Sequence, residues 1–118
     1  MAKSLVLEKA VAFALRIVKL SKYLAEEKRE YVLSKQVLLS GTFIAQFVTS
    51  ATRSEDRSGF ISQMHIALQR ASETEFWLLI LREGEYIGEI EYQSVNSDCV
   101  ELIKMLTSIV KTSKNTNE

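Results

Sequence analysis

Few side chains in this sequence have the chemistry that catalysis requires. The chain contains one histidine, His65, and one cysteine, Cys99, so it has neither a two-histidine metal motif nor a disulfide within the chain. Cys99 lies on an apolar helical repeat, which favours a small buried side chain over a reactive thiol. His65 has no partner at a fixed spacing, which favours a flanking or interface residue over a general base.

The acidic residues do not form a recognisable catalytic pair either. Glu73 and Glu75 are two residues apart on a predicted helix, and that spacing places them on different faces. The sequence has no Glu-x-x-His motif of the kind that holds iron in helix bundles, and no glycine-rich phosphate loop. We therefore expect a protein that is not an enzyme and has no catalytic residue, cofactor or metal site. A small enzyme or metal protein is the alternative.

Basic residues are the strongest remaining signal for a binding partner. Lys9, Arg16 and Lys19 fall together on one face of the first predicted helix. Residues 1–29 hold seven basic and three acidic side chains, whereas residues 73–101 hold one basic and eight acidic side chains. Either the basic helix pairs with the acidic segment, within the chain or between subunits, or the three residues form a stripe that contacts nucleic-acid phosphates. No aromatic side chains alternate with them, so base stacking is not indicated.

The elements that must position these residues are helical. The length of 118 residues suits one domain. Hydrophobic residues make up 47% of the chain and charged residues 25%, and the formal net charge is zero. The sequence has no proline, so none interrupts a helix. Apolar residues recur at steps of three and four in segments joined by short polar breaks. The pattern predicts an all-α, antiparallel up-down-up-down four-helix bundle, with helices at roughly 4–25, 30–53, 56–83 and 89–112 and a polar tail at 113–118.

The helix starts and the core follow from the same pattern. Ser4 is the predicted N-cap of the first helix, and Ser54 or Asp56 that of the third. Ala67 and Ala71 lie in the middle of the third apolar stripe, so a neighbouring helix can approach closely there. The predicted core stripes are Val6, Ala10, Phe13, Ile17, Leu20 and Leu24 in the first helix, Phe60, Met64, Ala67, Ala71, Thr74, Leu78 and Leu81 in the third, and Tyr92, Val95, Cys99, Leu102, Leu106 and Ile109 in the fourth.

The second predicted helix has a wider apolar face than a helix needs to pack within a four-helix bundle. Between Tyr31 and Thr52 the only charge is Lys35, and at about 100° per residue the large apolar side chains spread over roughly half of the circumference. An exposed apolar surface of that width usually marks an interface, so we expect one edge of this helix to contact other subunits. Phe43 and Phe47 are the candidates for this oligomer interface, although either also fits the core. The alternative is that this is simply the most central helix of a small bundle.

Several motifs resemble those of a known family. The run Ser40-Gly41-Thr42-Phe43-Ile44 is similar to a Ser-Gly-Thr-x-Ile run in the four-helix-bundle family encoded by intervening sequences in bacterial 23S ribosomal RNA genes. The block Glu73-Thr74-Glu75-Phe76-Trp77-Leu78 resembles the family's E-T-x-[YF]-W-L block. Further matches at the family's spacings are Phe60-Ile61, Ile66-Ala67-Leu68 and Tyr86-Ile87. The resemblance covers nearly the whole chain and implies the same four-helix fold.

The resemblance also implies an assembly. The family is similar to the accessory variability proteins of diversity-generating retroelements, which are barrel-shaped homopentamers that bind nucleic acid and a reverse transcriptase. It therefore implies a ring of identical subunits, five in number. This chain differs from the family pattern after the Ser-Gly-Thr motif, because an asparagine and a glutamate of the family are replaced by Phe47 and Ser50, beside Ala45, Gln46 and Ala51. It is also neutral, whereas the retroelement proteins are strongly basic.

These observations predict a non-enzymatic, homo-oligomeric, ring-forming assembly protein. The alternative is an accessory factor that binds RNA or DNA weakly and without sequence preference. The expected partner is another copy of the chain, with RNA, DNA or a different protein as further candidates, and no membrane. No segment has the length of a signal-peptide core or a membrane span, and the lone cysteine fits a reducing compartment, so we expect a cytoplasmic protein.

Overall fold

Four long helices account for most of the chain. The computed structural model describes residues 4–116, with α1 at Leu5–Glu27, α2 at Leu33–Thr52, α3 at Arg57–Glu83 and α4 at Glu89–Thr116. α2 packs against both α1 and α3, and α3 packs against α4, whereas the backbones of α1 and α4 make by far the smallest contact. Short turns reverse the chain between consecutive helices, so the predicted all-α four-helix bundle is confirmed.

Side-chain oxygens accept hydrogen bonds from the free amides at the starts of the first three helices. Ser4 Oγ accepts a hydrogen bond of 3.2 Å from the Leu7 amide, and Asp56 Oδ1 accepts one of 2.8 Å from the Gly59 amide. Ser4 is the N-cap that the sequence predicted, and Asp56 is the N-cap of α3, one of the two residues predicted for it with Ser54. α2 begins differently, because the carboxylate of Glu30 accepts three amide hydrogens at the start of the helix, at 2.8 to 3.1 Å.

α4 is longer than the apolar pattern predicted. We expected a polar tail from residue 113, but the helix continues to Thr116. Residues 113–116 include neither glycine nor proline, so no residue there ends the helix. Residues 117–118 of the expected tail lie outside the described residues.

The predicted stripes of α1, α3 and α4 meet in one continuous core. All of their members are buried except Leu20, Phe60 and Ile109, which are half-buried at its edges. α2 contributes less than its apolar arc would allow, since Leu39 is exposed, as is Val32 immediately before the helix. The large apolar side chains of α2 that the chain itself buries are Val37, Ile44 and Val48. The chain therefore covers only part of the apolar surface of α2.

The Ser-Gly-Thr motif fixes α2 against two neighbouring helices. Thr74 Oγ1 of α3 donates a hydrogen bond of 3.0 Å to Ser40 Oγ, and both side chains are buried. On the α1 side, a Cβ added to Gly41 would lie 2.9 Å from two side-chain carbons of Ile17. Glycine therefore permits a close approach of α1 and α2. The motif is a packing element, and its partner Thr74 lies in the second family-like block.

Candidate functional site

Two residues of the predicted basic stripe form ion pairs with α4. Lys9 Nζ lies 3.0 Å from Glu101 Oε2, and Arg16 Nη1 lies 2.8 Å from Asp98 Oδ2. Arg16 also donates hydrogen bonds to the carbonyl and hydroxyl oxygens of Ser94, at 3.3 and 2.6 Å. All four charged side chains are partly exposed, so solvent screens the pairs, and each stabilises the fold by at most about 1 kcal/mol.

Lys19, the third residue of the stripe, differs from the other two. Its side chain is exposed on α1, and it takes part in none of the ion pairs found among residues 4–116. Lys9 and Arg16 therefore pair with the acidic segment 73–101, whereas Lys19 does not. Contact with nucleic acid stays a prediction for all three residues.

The loose contact between α1 and α4 leaves a cavity of about 230 Å³, which we name the seam cavity. Buried apolar side chains lie at its base, and charged side chains lie at its rim. Its lining residues are Arg16, Lys19, Leu20, Tyr23, Ile87, Glu91 and Val95. The sequence pattern did not predict this cavity, although Leu20 and Tyr23 share the helix face of Lys9 and Arg16 and thereby mix apolar with basic side chains.

The two predicted interface phenylalanines lie on the side of α2 that faces α3. Their rings meet edge to face, with centroids 6.2 Å apart and planes at 76°. The guanidinium carbon of Arg70 lies 5.3 Å from the centre of the Phe43 ring. Phe43 and Phe47 are both half-buried, and Phe47 packs against the core. Each keeps some surface that a second chain could cover, so their interface role stays a prediction.

Several other large apolar side chains lie away from the core. Val11, Leu15 and Val18 follow the i, i+4, i+7 spacing of one helix face and form what we name the α1 outer stripe, in which Val11 and Leu15 are exposed, Leu15 by 60%, and Val18 is half-buried. Phe76 on α3 is 51% exposed, and Ile90 at the start of α4 is 87% exposed. The apolar pattern of the first helix predicts that Val11 and Val18 widen its core stripe, but Val11 is 43% exposed. Leu15, Phe76 and Ile90 lie outside every predicted stripe, and the sequence carries no other signal for their exposure.

The thiol of Cys99 is not activated for chemistry. Cys99 is buried, and its Sγ donates a hydrogen bond of 3.3 Å to the carbonyl oxygen of Ala71. Burial raises the pKa of Cys99 to about 12, and the nearby charges of Glu75 and Asp98 contribute. The thiol is therefore protonated at neutral pH, whereas the thiolate is the nucleophilic form.

The remaining candidates for catalysis lie apart. Glu73 accepts a hydrogen bond of 2.8 Å from Arg70, while Glu75 lies near Cys99 on the α4 side of the same helix. His65 is exposed. Among residues 4–116, no group of three or more His, Cys, Asp and Glu side chains is placed to hold a metal ion. No helix in this part of the chain is long and apolar enough to cross a membrane.

Comparison with known proteins identifies the family. The family model for the 23S rRNA-intervening sequence protein matches residues 2–108. The chain belongs to this family. A crystal structure of a protein of unknown function from the S23 ribosomal protein family of Bacteroides thetaiotaomicron is 45% identical in sequence, with a TM-score of 0.89 over 90% of this chain and 95% of that one. No curated protein matches the chain. The resemblance drawn from the Ser-Gly-Thr motif and its companions is thus confirmed, and the intervening-sequence protein shares its fold with that structure.

Proposed function

We propose that this intervening-sequence protein is a homo-oligomeric assembly protein with no catalytic activity of its own. The observation that carries the proposal is the α1 outer stripe, a row of apolar side chains on the side of α1 away from the core. Single exposed apolar residues are common on soluble proteins, but a contiguous row usually marks an interface. Leu39 and Phe43 present further apolar surface on α2, where the sequence predicts an interface edge.

The assembly we propose is a ring. Apolar surface lies on α1 and, at Phe76, on α3, and these two helices are not neighbours in the bundle. A two-fold symmetric contact would cover one such surface, whereas a contact between two different surfaces repeats from subunit to subunit until the ring closes. The resemblance to the retroelement proteins supports five subunits.

The absence of catalytic activity is supported by the state of the candidate groups. The one thiol, Cys99, is buried and protonated, and the carboxylates of Glu73 and Glu75 lie on different sides of α3. General acid–base or nucleophilic catalysis needs such groups to converge on one point.

The dependence of thermal stability on protein concentration tests this proposal. When folding is coupled to assembly, mass action makes Tm rise with concentration, so we expect a rise between about 1 and 100 µM. Leu15→Ser should lower Tm and weaken this dependence, because it places a hydroxyl in the α1 outer stripe. Leu5→Ser is the matched control, since Leu5 is equally exposed, at 60%, but lies outside the stripe. A Tm that is independent of concentration would contradict the proposal.

The alternative function is weak, sequence-independent binding of RNA or DNA. The observation that favours it is the exposed ammonium group of Lys19 beside Arg16, which a ring would repeat once per subunit. With so few phosphate contacts, we expect a Kd no tighter than about 1 µM near physiological salt.

A titration of labelled RNA and duplex DNA across salt concentrations measures this binding. Lys19→Gln should weaken it and reduce its salt dependence, while Lys35→Gln on α2 should leave both unchanged. Nanomolar binding that resists salt would make nucleic acid the principal partner. No binding even at low salt would remove this alternative.

A further inference from the structure

We infer that the seam cavity receives the Phe76 side chain of a second copy of the chain, so that neighbouring subunits join head to tail. The inference rests on the proposed homo-oligomer and names the two surfaces that meet in it. It assigns a specific occupant, a phenyl ring, to a cavity that the chain itself leaves open.

The seam cavity has the size and lining to hold a phenyl ring. Its volume is about 230 Å³, and an apolar cavity of about 150 Å³ is enough to bind benzene. Leu20, Ile87 and Val95 offer aliphatic contacts, and Tyr23 offers an aromatic ring at the rim. Aromatic rings pair favourably at an edge or with an offset, so Tyr23 adds to the apolar burial.

Phe76 is presented outwards on a rigid support. About half of its surface is exposed, and its ring packs edge to face on Trp77, with centroids 5.0 Å apart and planes at 67°. Trp77 in turn packs against the core. A side chain that is already held in place loses little conformational entropy when a partner covers it.

The cavity and Phe76 lie at the same height along the bundle. The hydrogen bond from Cys99 of α4 to Ala71 of α3 places those two residues in one layer. Towards the connection between α3 and α4, Val95 lies about one helical turn from Cys99, and Phe76 lies about one helical turn from Ala71. Val95, which lines the cavity, and Phe76 are therefore at about the same height. Subunits related by rotation about an axis along the bundle bring surfaces of equal height together, and such a rotation closes a ring.

The two surfaces lie on different sides of the bundle. The cavity opens between α1 and α4, whereas Phe76 lies on the side of α3 away from the core. A chain therefore cannot fill its own cavity with Phe76. The contact uses a different surface from each subunit, which is the arrangement that repeats around a ring.

One charge at the cavity rim is complementary to the segment around Phe76. Lys19 takes part in no ion pair found among residues 4–116, whereas Arg16 is paired with Asp98 of its own chain and Glu91 adds a carboxylate. Phe76 belongs to the segment 73–81, which holds two glutamates and no basic residue. Opposite charges of this kind orient two surfaces as they approach and disfavour the wrong pairing.

Two variants that each disable one surface provide the test. Phe76→Glu removes the inserted ring, and Val95→Phe fills the cavity from within its own chain; circular dichroism checks that both fold. Each variant alone should have the mass of one chain, 13.4 kDa, by light scattering. Their equimolar mixture should give a species of twice that mass, because the intact cavity of one variant meets the intact Phe76 of the other and the contact cannot extend.

Controls keep this test decisive. Tyr23→Glu at the rim disables the cavity without altering the core, and replaces Val95→Phe should that variant not fold. Tyr31→Glu, a change of the same kind at an exposed aromatic residue after α1, should keep the wild-type mass. Variants that keep the wild-type oligomer, or a mixture that stays monomeric, would overturn the inference while the homo-oligomer stands. A monomeric wild-type chain would overturn the proposed function and this inference with it.

Discussion

At Gly41, a single missing side chain sets the distance between α1 and α2. A Cβ there would lie 2.9 Å from both Cγ1 and Cγ2 of Ile17, closer than carbon atoms in van der Waals contact. Overpacking by Gly41→Ala should cost about 1–3 kcal/mol and should cancel or exceed the gain of about 1 kcal/mol in helix propensity, so we expect a free energy of unfolding no higher than that of the wild type. Urea denaturation measures the change.

The matched control for this prediction is Gly88→Ala. A Cβ at Gly88 would meet nothing within 4 Å, so Gly88→Ala adds no overpacking, and its stability should change only by the preference of the position before α4 for glycine over alanine. An unfolding free energy raised by about 1 kcal/mol in Gly41→Ala, the full gain in helix propensity, would mean that α1 moves away from α2 at no cost and that the motif is not a packing element.

Burial of Cys99 makes the protein less stable as the pH becomes alkaline. Its pKa is raised from 9.0 to about 12, so the unfolded chain loses this proton at a lower pH than the folded chain. The contribution of Cys99 to stability is therefore complete below about pH 9 and declines as the pH rises from about 9 to 12. Cys99→Ala should show a smaller loss of stability than wild type between about pH 8 and 10.5 in urea denaturation. Equal losses in the two proteins would contradict the raised pKa.

Among the helices, α3 shows what the apolar pattern of a sequence can and cannot predict. Its predicted stripe is buried from Met64 to Leu81, because apolar residues repeat wherever one side of a helix is kept from water. The apolar pattern does not predict the distance between one helix and each of its neighbours. The seam cavity could not be predicted for this reason, and neither could the pair of Arg16 with Asp98, which joins residues 82 positions apart.

Close packing on α3 is testable at its small residues. Ala67 and Ala71 are fully buried in the middle of the stripe, so replacing either with leucine should overpack the bundle and cost about 1–3 kcal/mol. Ser72→Leu, at the exposed neighbouring position, should have little effect. If thermal denaturation gives an unchanged Tm for both Ala67→Leu and Ala71→Leu, the packing of α3 has been assigned to the wrong face.

At the scale of the whole molecule, apolar surface remains after the core is complete. The α1 outer stripe, the exposed half of Phe76 and the seam cavity are left uncovered by the chain's own helices. The sequence predicted surplus apolar surface but placed it on α2, at Phe43 and Phe47, because α2 carries a single charge whereas charged residues accompany the apolar residues of α1. An apolar residue outside a core stripe is visible in a sequence, but its exposure depends on the packing of all four helices.

The mass of the protein in dilute solution tests the central claim most directly. Light scattering at micromolar concentration should give a mass of at least twice the 13.4 kDa chain mass, and five times that mass for the ring that the family resemblance implies. A mass near 13.4 kDa for the folded protein at that concentration would contradict the claim that this intervening-sequence protein is an assembly of identical subunits.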